Sequence, residues 1–158
     1  MQTRVTALGP TVVGVDEQVD VSVDVDRWVA LAAAAFVEQG CDTGECSLLF
    51  VDESTMHELN REHMGKDRPT DVLSFPLDGA AASHPGDLIG DIVICPSVAG
   101  VGVELHADRA HHRGTLDDEL ALLVVHGVLH LLGHDHEDDE EAEVMEALEQ
   151  RILALHHR

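Results

Sequence analysis

Over the first hundred residues, short β-branched or apolar runs alternate with amphipathic ones; beyond them, long helical patterns take over. Residues 11–15 (TVVGV) read as a first short strand. Asp24 or Asp26 can cap a helix running through Trp28, Leu31, Ala35 and Phe36 toward Gly40, its apolar positions at helical spacing. Residues 47–51 are an apolar run between turn residues, the pattern of a buried strand. Ser54 caps a second helix through Met56, Leu59 and His63, which Gly65 ends. A polar loop, 66–70, follows. Residues 71–76 and 91–95 are strands, stopped by Pro76 and Pro96, because proline has no N–H for a ladder. Between them, 77–89 shows no periodicity. Residues 97 to about 113 form a weaker helix, 116–132 the central one and 137–155 the last, with Met145, Leu148, Ile152 and Leu155 as its apolar seam. This order predicts one α+β domain over residues 1–158, a small mixed β-sheet of about four strands packed with about five helices. No internal repeat or domain boundary is evident.

The central helix breaks its own pattern twice. Residues 121–132 are apolar or glycine except His126 and His130. Positions i and i+4 share a helix face, so the two imidazoles point the same way. A lone histidine on an apolar face is ordinarily a hydrogen-bonded core residue, but each of two buried rings costs free energy unless partnered. One metal ion partners both. Gly133 can end the helix in the left-handed conformation and let the chain bring His136 back toward the first two. Three imidazoles around an open fourth position make a catalytic zinc site, whereas structural zinc is closed by four protein ligands. The expected metal ligands are therefore His126, His130 and His136, for one Zn2+ per chain. Imidazole also suits nickel and copper.

Length and composition fit one globular unit of 158 residues with 44% apolar content. Residues 1–20 hold no apolar stretch of signal-peptide length, and no run approaches the roughly 20 apolar residues that span a bilayer. Cys41, Cys46 and Cys95 are odd in number and lack a CxxC spacing, which fits a reduced cytoplasm. The net charge of −22, from 31 acidic against nine basic residues, argues against polyanion binding through a broad basic face. Local charge differs: acids concentrate over 137–149, while Arg61, Lys66 and Arg68 cluster in the centre.

A metal ion with an open position lowers the pKa of bound water and polarises carbonyl or phosphoryl oxygens, so hydrolysis is the expected reaction type. The ligand spacing HxxxHxxGxxH coincides with that of metzincin peptidases, which read HExxHxxGxxH. Their glutamate, the general base, is replaced here by Gly127. The spacing therefore argues for similar metal geometry and against peptide cleavage.

HGVLHLLGHDH (126–136), preceded by PTDVLSFP (69–76) and GDIVIC (90–95), resembles the YbeY family of bacterial endoribonucleases. The resemblance extends from the Trp28 helix and Asn60 to the acidic last helix. It implies a zinc-dependent endoribonuclease acting in ribosomal RNA maturation, notably at the 3′ end of the small-subunit RNA, and in ribosome quality control. It also implies an α+β fold with the metal in a cleft, a single zinc on His126, His130 and His136, and cytoplasmic work beside the ribosome. Expected partners are ribosomal RNA, the ribosome and ribosome-associated proteins, with no membrane and no DNA. The alternative is a non-catalytic zinc-bound ribosome-assembly factor; a metallopeptidase ranks below both.

One departure bears on chemistry. Family members commonly carry an arginine five residues before the PT of PTxVLSF, and here that position is Met64. A guanidinium pairs bidentately with phosphate and stabilises developing charge; a thioether does neither. Arg61, one turn earlier on the same face, or Lys66 in the following loop is expected to supply the cation. With His126 and Asp135 these complete the candidate catalytic set, Asp135 orienting a ligand imidazole. His134 is expected in the cleft or on the surface. Asp71 and Ser74 are candidates to line the cleft, Asp91 is structural, and the exposed pairs His111–His112 and His156–His157 carry no ligand role.

Overall fold

A glycine in the middle of the long apolar helix sets how closely the layers of this molecule meet. The computed structural model describes residues 2–5 and 9–157. In chain order these form β1 (Gln2–Val5), β2 (Thr11–Asp16), α1 (Val25–Glu38), β3 (Glu45–Phe50), α2 (Glu53–Met64), β4 (Val72–Pro76), β5 (Leu88–Ile94), α3 (Pro96–His106), α4 (Leu116–Leu131) and α5 (Asp139–His156). The five strands make one mixed sheet in the order β1-β2-β3-β5-β4. Its centre, β2-β3-β5, is parallel, and β1 and β4 are antiparallel edges. The α+β expectation holds, with β1 one strand beyond the four read from the sequence.

Alternation along the strands divides the apolar residues between two faces. Leu48, Phe50, Ile92 and Ile94 join α1, α4 and α5 in the main core, which encloses Trp28, Phe36 and Leu129. Leu49 and Val93 point the other way and pack with Met56, Leu73 and Cys95 under α2. The main-core face carries the central helix. From Asp118 to Leu131 every residue of α4 is buried except His126 and His130. Gly127 lies on the opposite side of the helix from solvent: a Cβ there would stand 2.7 Å from Ile92 Cγ2. The absent side chain lets α4 settle directly onto β5.

Helix ends correct several sequence expectations. Asp24 caps α1 by accepting from the Arg27 N–H, while α2 is capped by Asp52, not Ser54, through a 2.9 Å bond from the Thr55 N–H. Asp52 precedes the helix in extended backbone, where its carboxylate reaches the free amides of the first turn. Asp138 does the same for α5, which starts after Glu137. Helix α3 stops at His106 instead of continuing to 113. The residues beyond it are drawn to carboxylates at the start of α4. The Arg113 N–H donates to Asp118 at 2.8 Å, and His112 Nε2 meets Glu119 at 2.9 Å.

These two acids also correct the reading of His112 and His157 as exposed. Both rings are buried. Glu119 is held between His106 Nδ1 (2.9 Å) and His112, and Asp118 between His157 Nε2 (2.7 Å), Thr115 Oγ1 (2.7 Å) and Arg113. A buried carboxylate needs such partners. His157 lies 39 residues from Asp118, so the local polarity around it gave no sign of its burial.

Two measurements test this packing. Replacing Gly127 with alanine gains about 1 kcal/mol of helix propensity but drives a methyl into Ile92, an overpacking cost of about 1–3 kcal/mol. Urea denaturation should show a net loss; a raised midpoint would mean that the α4–β5 contact yields freely. Burial pushes the Asp118 carboxyl up, but its bonds to His157, Thr115 and Arg113 outweigh that and hold it well below the usual carboxylate range. The unfolded chain therefore binds this proton more readily than the native one. Its contribution is present above the ordinary aspartate pKa of about 3.9 and drains away as pH falls from about 5. Melting temperature should drop over that window, and Asp118→Asn should be less stable at pH 7 with a flatter acid limb.

Candidate metal centre

The two half-buried positions of α4 form the base of the site. His126 and His130, one turn apart, bring their ring centroids to 4.7 Å. Leu132 then caps the helix and Gly133 follows with φ +97°. The Gly133 N–H bonds the His130 carbonyl at 3.0 Å and the His134 N–H bonds that of Leu129 at 3.0 Å. This is the paired six-to-one and five-to-two closure in which a left-handed glycine reverses the chain. The reversal returns His136, whose ring centroid lies 5.4 Å from that of His126 and 5.2 Å from that of His130.

One ligand nitrogen from each of the three rings lies within 4.8 Å of the others. Such a set is capable of holding one metal ion. Among the described residues no other group of three or more His, Cys, Asp or Glu converges in this way. Burial first, then the neighbouring His126 and His136 rings, hold His130 below the usual histidine range. It therefore stays neutral, the form in which imidazole binds metal.

A glutamate from the last helix completes the arrangement. His126 Nδ1 donates to Glu149 Oε2 at 2.6 Å, and the glutamate side chain is 4% exposed. A carboxylate oxygen accepts, so the proton sits on Nδ1 and Nε2 is left as the ligand atom. Glu149 was missed in the sequence because it ends a run of acids (137–149) that resembles a solvated helix face. Its signal was position: it stands four residues after Met145 and three before Ile152, both buried.

Two cavities flank the triad. One, of about 310 Å³, is lined by Met64, Asp71, Ser74 and the three histidines. The other, of about 370 Å³, runs past His106, Arg109, Met145, Glu146 and Glu149. They share Asp71, Val72, His126 and His136, so the triad lies between them on one continuous wall. Asp71 and Ser74 are in the cleft as expected, and the Ser74 hydroxyl donates to the Gly127 carbonyl at 3.4 Å. Arg61 and Lys66 are exposed and line neither cavity. The carboxylate of Asp135 accepts from the His136 backbone N–H at 2.7 Å instead of holding an imidazole. His134 faces away, toward the loops around Cys41 and Ser83.

If Glu149 fixes the His126 ring, then Glu149→Ala should weaken zinc affinity by about 10- to 100-fold in a chelator competition assay. Glu149→Gln, which keeps an accepting oxygen, should lose less. Equal affinity in all three proteins would remove Glu149 from the site.

Residues 15–157 match the family model described as Endoribonuclease YbeY. The chain is 47% identical over 143 residues to the protein called Endoribonuclease YbeY from Salinispora tropica, covering 84% of this chain and 87% of that one. It is 43% identical to the protein of that name from Chromohalobacter salexigens, covering 83% of this chain and 79% of the relative, and 42% identical to that from Nocardia farcinica, covering 83% and 73%. A solution structure of a Thermotoga maritima protein superposes with a TM-score of 0.52 at 29% identity, covering 85% of this chain and 87% of that one.

Proposed function

The chain belongs to the YbeY family of endoribonucleases, and from the geometry of its histidine triad we propose that it is a zinc-dependent endoribonuclease of ribosomal RNA maturation. The proposed setting is the cytoplasm, with processing of the small-subunit 3′ end and ribosome quality control as its roles. The whole chain, 1–158, is read as one catalytic domain. The observation that carries the reading is the convergence of three imidazole nitrogens in a cleft, backed by a buried carboxylate. Three protein ligands leave a coordination position open, as in catalytic rather than structural zinc sites. When bound, such an ion supplies Lewis acidity toward a phosphoryl oxygen and lowers the pKa of water.

The protein's own residues do the rest. Glu149 retains the proton on His126 Nδ1, keeping one tautomer and one ring orientation. Asp135 holds the backbone of the turn that delivers His136. Val72 and Met145 contribute apolar wall to the cavity beside the triad. Peptide hydrolysis lacks its base: position 127 is glycine, and the direction its side chain would take is filled by Ile92. No helix among the described residues is long and apolar enough to cross a membrane.

The strong negative charge limits how RNA is approached. Few cations are available, so binding of naked RNA by the isolated protein is weak with a shallow salt dependence. The ribosome or a ribosome-associated protein then supplies the main docking surface. The direct test is zinc analysis paired with cleavage of ribosomal RNA precursor, beside a His126→Ala/His130→Ala variant. The expected result is one zinc per chain and cleavage that the variant loses by at least about 1,000-fold, the scale of removing a metal-activated step. Zinc at one per chain with cleavage no greater than the variant's, even on ribosomes, would instead favour a non-catalytic assembly factor.

A further inference from the structure

The proposed reaction needs a cation for the phosphate, and the sequence offered Arg61 or Lys66, both of which lie outside the cleft. Among the described residues, Arg109 is the only arginine or lysine lining either cavity beside the triad. We propose that Arg109, in the segment between α3 and α4, binds the phosphodiester of the RNA strand that crosses the triad. This rests on the endoribonuclease reading and adds the residue that engages the substrate backbone.

Arg109 is held by two long ion pairs that leave its guanidinium donors without a hydrogen bond. The side chain is 31% exposed. Its Nη1 lies 3.7 Å from Glu149 Oε1 and its Nε 3.9 Å from Glu146 Oε1, both beyond hydrogen-bond length. No hydrogen bond from its guanidinium is present among the described residues. Glu149 thus stands between two groups, with one oxygen on His126 at 2.6 Å and the other facing Arg109. The guanidinium is thereby placed in the metal-side wall without being closed off. Five N–H donors in a rigid fork suit two phosphate oxygens at once.

The shape of the cleft agrees. The triad lies between the Met64 lobe and the Arg109 lobe, and a polynucleotide strand is longer than either. A strand laid over the metal centre would enter the Arg109 lobe with an adjacent phosphate or with the scissile one. The Met64 lobe offers it a thioether 49% exposed and no positive charge. Among the described residues Arg109 is therefore the one arginine or lysine the cleft offers a phosphate, set in a wall that Asp71, Glu146 and Glu149 make acidic.

The test is binding of an uncleavable, fully 2′-O-methylated oligoribonucleotide to the zinc-loaded protein over a range of salt. Arg109→Gln should weaken binding by about 10-fold and flatten the log–log salt slope by about 0.7, the share of one neutralised phosphate on a single strand. Zinc content and melting temperature should stay at the wild-type values. Arg109→Lys keeps the charge and guards against a folding artefact; it should hold the slope but lose several-fold in affinity, since an ammonium lacks the fork. Met64→Arg placed on Arg109→Gln should recover most of the binding from the other lobe. Wild-type affinity in Arg109→Gln, or in Arg109→Lys, would overturn the proposal. So would a loss that tracks zinc loss and is cured by added zinc, which would make Arg109 a positioning residue for Glu149. Binding indifferent to residue 109, or no binding by the wild type even at low salt, would sink this proposal alone; the nuclease reading falls only if the wild type cleaves ribosome-bound precursor no better than the His126→Ala/His130→Ala variant.

Discussion

Helix α4 must satisfy two opposed demands, and the rest of the structure follows from how it does so. It is buried along almost its whole length, yet it carries two imidazoles that cannot be buried without partners. The solution divides its surface. Gly127 and its apolar neighbours take the sheet side, where the missing Cβ permits close contact with Ile92. His126 and His130 take the side left open between β4 and α5. Glu149 from α5 then meets His126, and the glycine reversal at 133 folds His136 over both. One helix thus provides the core and two of the three histidines able to hold a metal ion, and any change in its depth moves both.

The buried acids at its start extend the same logic. Acidic residues in the first turn favour a helix N-terminus through its dipole, but Asp118 and Glu119 are sealed from water. Histidines from three different segments enclose them: His106 from α3, His112 from the turns that follow, and His157 from the end of the chain. A protein with one lysine uses imidazole and arginine for these internal contacts instead. Five of the 31 acidic residues lie on the exposed face of α5, while the acids nearest the triad are Glu149, Glu146 and Asp71.

Much of this was legible as pattern. The i, i+4 histidines in an apolar run, the glycine after them and the strand-proline boundaries are local signals, and the structure places each element where its signal lay. What was hidden depended on partners distant in sequence. Glu149 looks like its acidic neighbours until α5 is docked on α4, and His157 looks exposed until Asp118 is seen across from it. Arg61 and Lys66 sit next to the PTDVLSFP motif in sequence but line neither cavity, whereas Arg109 lines one of them from a stretch read as a weaker helix. The α3 boundary failed for a more local reason, since carboxylates at the start of α4, five to seven residues on, hold Arg113 and His112.

The central claim is that three histidines, and no fourth protein group, hold one zinc ion in an accessible cleft. X-ray absorption spectroscopy of the zinc-loaded protein tests this most directly. The account predicts imidazole scattering from three histidines, no sulfur, and a remaining position filled by solvent-derived light atoms that a small anion can displace. A fourth protein ligand, a cysteine sulfur in the shell, or zinc spread over sites that survive loss of His126 and His130 would contradict it.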